Sequence, residues 1–473
     1  MTVTDPSVEA LQHQYGDRVV AVEPGGVEFI PLSERHGRPI QMLWTWTSPN
    51  MEFATVAVGI LGPLAFGLTF WQSFLAIILG TAVGAATQGL LSARGPKHGV
   101  PQMVLSRTAF GFRGNILPAG INALVAGIGW FAVNSVSGAL ALHALVGAIP
   151  AVLCLVIVVA AELTLAFFGH NLVQAFERYA FPVLAVVFVV ASVLVLTKGD
   201  LGAVAQEPGG LGGFLIMLGA TYGYAAGWNP YAGDYTRYLP ADSSGPKAGF
   251  FAALGIFWSC ALLETAGAAV VSAGQTALDP SAFTNLLPTW LGSLTLLAVV
   301  VGAISANAIN VYSGSLSFVA AGVPLRSHRA RALVAAGFGV IGFFVAWAAI
   351  GDAATYEGFL LVIAYWVAPW LGVVLVDWWL RRGTDIDPLL VDRGYRNVAG
   401  PVAMGVAMLV SILLFCNQQR YVGPVPSAVP DVGDITAPVG FVLAALIYAV
   451  MVRLVPPSRG PSLVGSARGR TAP

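Results

Sequence analysis

Three short stretches carry side chains able to hold a ligand by shape and hydrogen bonding. They are Gly127-Ile128-Gly129-Trp130-Phe131-Ala132-Val133-Asn134, Gly227-Trp228-Asn229-Pro230-Tyr231-Ala232-Gly233 and Ser305-Ala306-Asn307-Ala308-Ile309-Asn310. On a helix Trp130 and Asn134 stand four apart and Asn307 and Asn310 three apart, so each pair shares one face. An indole offers a broad apolar plane, and a carboxamide offers a donor and an acceptor side by side. Trp130 and Trp228 could therefore cover the two faces of a flat ligand while the amides address N–H and C=O groups along its edge. That chemistry is non-covalent recognition of a nucleobase or a related heterocycle. A sugar would want more hydroxyl-matching groups, and an amino acid a partner for its carboxylate. The same residue types have plainer uses, because Asn also bonds across packed membrane helices and Trp also fills volume. Tyr222 and Tyr224 read chiefly as packing.

These residues lie within apolar spans. Of 473 residues, 57% are hydrophobic and 10% charged, against about 25% charged in a soluble domain. Runs of about 20 apolar residues, each sufficient for a hydrocarbon core of about 30 Å, repeat from Met51 onward. They predict an all-α polytopic membrane protein with twelve helices, at about 51–79, 80–93, 115–143, 147–169, 180–197, 212–232, 248–272, 290–317, 332–350, 356–380, 398–416 and 435–454. The second runs on from the first across Gln72 and Ser73, and a division near Gly67 to Gln72 is the alternative. With the N-terminus inside, every one of the 23 Lys and Arg except Lys198 and Arg420 falls on the cytoplasmic side, which supports this count. Both termini are expected in the cytoplasm of a cell-membrane protein, and no signal peptide precedes the spans. A net charge of zero gives no field for nucleic acid. Cys154, Cys260 and Cys416 sit in apolar runs without disulfide or metal spacing, and no cofactor, firm metal site or obligatory protein partner beyond the bilayer is expected. HExxH and GxSxG are absent, which disfavours an enzyme. A channel would need a continuous polar pore or a filter.

Glycine or proline inside a membrane helix frees backbone groups, tolerable only where protein, water or ligand satisfies them. The first span contains Gly59-Ile60-Leu61-Gly62-Pro63 and the sixth contains Gly227 through Gly233, five helices apart. Paired interruptions of this kind predict an inverted-repeat transporter with its site at the midplane. The expected organisation is an N-terminal segment (1–48), a first repeat of helices 1 to 5 (49–200), a second of helices 6 to 10 (201–382), helices 11 and 12 (383–455) and a C-terminal tail (456–473). Gly59 and Gly62 would border the substrate.

In order and spacing, these residues resemble the nucleobase:cation symporter-1 family, in its purine-cytosine permease branch. The marks run from Asn50-Met51 through the tenth helix: Gly59 to Pro63 with Phe66-Gly67-Leu68, Gly99-Val100-Pro101 with Leu105-Ser106-Arg107, Gly129-Trp130 with Asn134, Trp228 through Thr236, Asn310 with Tyr312-Ser313, and Ala368-Pro369-Trp370 leading to Asp377. The resemblance implies a LeuT-type five-plus-five fold with broken helices 1 and 6, and uptake of cytosine, a purine or another heterocycle (uracil, allantoin, a hydantoin) coupled to an inward cation. It implies substrate contacts at Trp130, Asn134, Trp228, Asn307 and Asn310, with the sixth-helix aromatic at Trp228 or one turn earlier, near Tyr224 and Ala225. An Asn pairs with any of these heterocycles once its amide is rotated. A sodium site would use Gly59, Ile60, Gly302 and Ser305, but Ala306 supplies no second hydroxyl, so proton coupling is favoured. Glu162 and Glu264 are intramembrane carboxylates and candidates for carrying that proton, or else structural carboxyls. His143 reads as a loop-proximal residue. Asp234 and Arg237 are expected to secure the inner end of the sixth helix, through an ion pair with each other or with neighbouring loops.

Overall fold

The computed structural model describes residues 15–23, 26–203, 207–323, 328–349 and 353–459. Arg326, counted above among the cytoplasmic charges, and most of the 456–473 tail lie outside them. The chain is built from α1 (Gln41–Thr47), α2 (Phe53–Ala65), α3 (Phe70–Ser92), α4 (Ile116–Leu124), α5 (Phe131–Leu145), α6 (Ala151–Phe168), α7 (His170–Leu196), α8 (Gly210–Ala226), α9 (Ala232–Thr236), α10 (Gly245–Ser272), α11 (Thr289–Ala320), α12 (His328–Ala349), α13 (Ala353–Leu380), α14 (Ala399–Phe415) and α15 (Thr436–Leu454). A single wide turn, Val125–Trp130, joins α4 to α5 without breaking the rod. Among the described residues eight helices are long and apolar enough to span a membrane, and Phe53–Ala65, Ala336–Trp347 and Ala399–Phe415 are shorter apolar helices. Two-residue antiparallel pairs, Tyr395–Arg396 with Ser458–Arg459 and Asn417–Gln418 with Tyr421–Val422, tie loops together.

The division between the first two spans falls at Phe66–Thr69, the alternative noted above, rather than at residue 79. Gly67 takes the left-handed conformation (φ +61°) that ends α2. Thr69 then opens α3 with a capping box: its hydroxyl accepts from Gln72 N at 3.3 Å, and Gln72 Oε1 accepts from Thr69 N at 2.9 Å.

The interruption of the first segment also differs from expectation. Gly59 to Pro63 is helical throughout, inside α2. The chain leaves helical geometry earlier: Ser48–Asn50 forms a 3-10 turn with Pro49 at its start, and Glu52 is extended (φ −150°, ψ 175°). The expected 1–48 segment therefore contains α1, whose Trp46 is fully buried. The glycines of α2 serve close packing instead. A methyl on Gly59 would lie 1.7 Å from the Glu264 carbonyl oxygen of α10, and one on Gly62 would lie 2.5 Å from Ser73 Oγ. Ser73 Oγ donates to Thr69 O at 2.9 Å and can swing away, but Ser73 Cβ, 3.0 Å from the same methyl, must also give, so Gly62→Ala is expected to cost about 1–3 kcal/mol. Thermal unfolding in detergent would check this.

α10 packs along both α2 and α3, α8 along α3 and α13, and α11 along α5, α6 and α7. The sixth segment runs helical to Ala226, turns through Gly227 and Trp228, forms a 3-10 turn at Asn229–Tyr231 and resumes as α9. All three cysteines are free and buried.

The described residues before α1, 15–23 and 26–40, are docked rather than loose. Ile30 N donates to Gly99 O at 2.9 Å, Arg35 Nη1 to Pro96 O at 2.7 Å, and Asn171 Nδ2 to Gly16 O at 2.9 Å. Glu23 is fully buried against the end of the sixth segment, its Oε1 at 2.8 Å from Arg237 Nη2 and accepting from Tyr238 OH at 2.6 Å and Tyr312 OH at 3.2 Å. Arg237 thus makes the loop version of the ion pair foreseen for it. Asp234 does not share that bridge; its Oδ1 accepts from Gln102 N at 2.9 Å.

Candidate functional site

Four elements meet around the two interruptions. Asn50, in the first, stitches them: its Nδ2 donates to Trp46 O at 2.7 Å and closes the end of α1, while its Oδ1 accepts from Trp228 Nε1 at 2.9 Å. Its carbonyl accepts from Thr55 Oγ1 at 2.6 Å, and that hydroxyl also bonds Tyr224 OH at 2.6 Å. The Asn50 carbonyl released by the first interruption is met by Thr55 of α2, whose hydroxyl is in turn held by Tyr224 of α8, which is how irregular chain survives inside a membrane protein.

Trp130, 6% exposed, stands edge-on to Tyr224 (centroids 5.4 Å apart, 84° between planes) and to Phe359 (5.1 Å, 76°). It also reaches the second interruption, where a methyl on Gly227 would lie 3.4 Å from Trp130 Cζ2. Trp228 has other ring neighbours, Trp46 at 5.9 Å and Tyr231 at 5.8 Å. Of the two registers left open for the sixth helix, the ring in contact with Trp130 is Tyr224, one turn before Trp228.

One turn beyond Trp130, an amide cluster closes the wall between α5 and α11. Asn307 Nδ2 donates to Phe131 O at 2.9 Å and to Ser135 Oγ at 3.0 Å. Asn307 Oδ1 accepts from Asn134 Nδ2 at 3.1 Å and from Asn310 Nδ2 at 3.3 Å. Ser135 Oγ donates to Glu162 Oε2 at 2.7 Å, which brings that carboxyl of α6 into the same network. All of these polar groups are buried. The second intramembrane carboxyl, Glu264, is elsewhere: its Oε2 accepts from Thr81 Oγ1 at 2.9 Å, between α10 and α3. His143 bonds Ile149 O at 2.7 Å in the loop after α5.

The four residues expected around a sodium ion separate into two pairs. Gly59 and Ile60 lie in α2, Gly59 against α10, whereas Gly302 meets the first interruption: a methyl on it would lie 2.0 Å from the Met51 carbonyl oxygen. Because the chain opens at Ser48–Glu52, the first-segment carbonyl beside α11 belongs to Met51 and not to Gly59 or Ile60. Ser305 Oγ donates to Glu177 Oε2 at 2.6 Å, on α7. Glu177, Asn50 and Ser135 were not foreseen. Glu177 lies just before the span expected at 180, and Ser48-Pro49-Asn50, a turn signal in any sequence, lies just before the span expected at 51. Among the described residues no group of three or more His, Cys, Asp or Glu is placed to hold a metal.

Long apolar helices around two interrupted segments, with polar side chains buried between them, make a multi-pass membrane protein of the LeuT-type fold. The backbone overlays a nucleobase-cation-symport-1 family transporter, solved in a closed conformation with bromovinylhydantoin bound, at a TM-score of 0.73, with 21% identity over 91% of this chain and 95% of that one. Residues 29–440 match the family described as permease for cytosine/purines, uracil, thiamine, allantoin, and the chain belongs to that family. It is 26% identical to the purine-cytosine permease of Emericella nidulans, covering 94% of this chain and 93% of that protein. To the allantoin permease of Bacillus subtilis it is 24% identical, covering 88% and 91%.

Proposed function

We propose that the protein is a secondary active transporter that imports a nucleobase, cytosine or a purine, by proton symport through alternating access, with both termini in the cytoplasm. The observation that carries this reading is the buried cluster of Asn134, Asn307 and Asn310 one helical turn from Trp130: three amides and an indole, withdrawn from lipid and water, suit a flat ring with a polar edge. The fully covered cluster corresponds to a closed stage, from which the α2 and α8 side would swing against α5 and α11 to open the site. Proton over sodium is favoured because Ala306 brings no hydroxyl and the Ser305 hydroxyl is already directed at Glu177. Glu177 and Glu162 are then the carboxyls best placed to take the proton, one beside the first interruption and the other bonded into the amide cluster. The relatives' names favour cytosine and purines, with allantoin as the second substrate.

In proteoliposomes, labelled cytosine or adenine is expected to accumulate when the inside is alkaline and to respond weakly to a sodium gradient. Saturable accumulation driven by sodium alone would overturn the choice of cation. Unsaturable flux without accumulation would indicate a channel.

A further inference from the structure

We propose that the seam between α7 and α11 binds a phospholipid with an anionic headgroup, one acyl chain lying along α7 and the phosphate held by Arg38 and Arg178.

A groove of about 510 Å³ follows this seam, within the size of ligand clefts in general (about 300–1,000 Å³). α7 contributes Phe176, Tyr179, Val183 and Val187 to it, and α11 contributes Leu297 and Val301. Along α7 its lining runs from Leu172 to Val187, about 22 Å of helix at about 1.5 Å per residue. That exceeds half of a hydrocarbon core of about 30 Å, the depth one leaflet's acyl chain has to cover. Every lining side chain is apolar apart from the Tyr179 phenol. Val183 and Leu297 are exposed in the protein alone.

Lipid tails cover any apolar helix face, so the groove by itself would specify nothing. Its end does. Arg178 precedes Tyr179 in the chain, and its guanidinium stands over the Tyr179 ring, 5.9 Å from the centroid. The same arginine lines a second hollow, of about 480 Å³, together with Arg38, Gln41 and Trp44. Arg178 thus joins the hollow to the groove. All four of these side chains carry N–H donors. Gln41 Oε1 already accepts from Arg38 N at 3.0 Å, which leaves its NH2 group to donate. Among the described residues no carboxylate lines the hollow, and neither guanidinium is held in an ion pair.

Two guanidinium groups facing one hollow repel each other, and a phosphate between them replaces that repulsion with two charge-assisted contacts. Trp44 and the exposed Tyr179 flank the place, as aromatic rings do where helices cross the membrane–water interface. Basic hollows at that level receive anionic headgroups. A zwitterionic headgroup brings its own cation to the arginines and gains less. A free anion gains nothing from the groove.

The purified full-length chain, delipidated in neutral detergent, is titrated with phosphatidylglycerol or with phosphatidylcholine of the same acyl chains, and bound lipid is counted by native mass spectrometry. Phosphatidylglycerol is expected to bind about 10-fold more tightly. Arg38→Gln with Arg178→Gln should bring it to the level of phosphatidylcholine. Val183→Trp, which fills the groove, should weaken both lipids several-fold. Arg382→Gln, at an arginine that lines neither cavity, should change nothing. All four positions are exposed, so the fold is not at stake. Equal affinity for the two lipids, or a loss with Arg382→Gln as large as with the arginine pair, would overturn the inference. Displacement of phosphatidylglycerol by millimolar inorganic phosphate would make the hollow a free-anion site and overturn it too.

Discussion

Asn307→Ala is expected to abolish binding, with affinity for the transported ring falling more than 100-fold (~3 kcal/mol) while the protein still inserts and purifies. The substitution deletes the oxygen on which Asn134 and Asn310 converge and the nitrogen that satisfies Phe131 O and Ser135 Oγ. Asn134 and Asn310 then lose the oxygen that holds their amides. Each stranded buried group costs about 1–3 kcal/mol, part of which returns when neighbours re-pair. Asn134→Ala is expected to act in the same direction, and Trp130→Ala removes the adjoining ring. Asn122→Ala is the control: it also deletes a buried amide, bonded to Ser317 Oγ at 2.7 Å, but stands twelve residues before Asn134, about 18 Å along the rod. Calorimetric titration of all four variants separates recognition from structure. If Asn307→Ala binds as the unaltered protein does, the cluster is interhelical glue and the site lies elsewhere. Loss in Asn122→Ala equal to that in Asn307→Ala would have the same meaning.

The reach of the sequence can be judged residue by residue. Asn134, Asn307 and Asn310 were legible because an amide in an apolar run is expensive, and a shared face predicts a shared purpose. The sixth-segment interruption was legible because Asn-Pro and flanking glycines break a helix locally. Its counterpart was not, because Gly59 and Gly62 carry two meanings. Glycine marks a break or a close approach, and only the neighbouring Glu264 carbonyl and Ser73 show that closeness decides here. The true departure, Ser48 to Glu52, falls where hydropathy has not yet risen, so a window tuned to apolar runs places it outside the membrane. Glu177 was hidden for the same reason, in a polar start to α7 that includes His170, Asn171 and Gln174. The capping box at Thr69 was available from Thr-x-x-Gln, and would have chosen between the two divisions of the first hydrophobic stretch. Partners of exact orientation, such as the Phe131 carbonyl, cannot be read from side-chain types at all, because the backbone presents the same groups at every residue.

The docked N-terminal stretch leads to the second large effect. Arg237→Met is expected to cost about 3–5 kcal/mol, because it leaves the Glu23 carboxylate buried without its guanidinium. Glu23→Gln should cost less, since Arg237 keeps Gly26 O at 2.7 Å and Tyr312 OH at 2.9 Å. The double variant should recover most of the loss of Arg237→Met, and a thermal-melt cycle over the four proteins measures the coupling. The consequence extends to transport. Arg237 directly follows α9 of the interrupted sixth segment, and Tyr312 stands two residues beyond Asn310 on α11, so the Glu23 bridge ties together the two walls that carry the candidate site. Any motion that opens the site toward this end must first part Glu23 from Arg237 and Tyr312. Glu23→Gln is therefore expected to raise maleimide labelling of Ser313→Cys several-fold from the side of the N-terminus, against a low background, because Cys154, Cys260 and Cys416 are all buried. Additive single-variant costs with unchanged labelling would reduce the bridge to a local clasp. Strong coupling with raised labelling would make the segment that carries Glu23 part of the barrier that every turnover has to open.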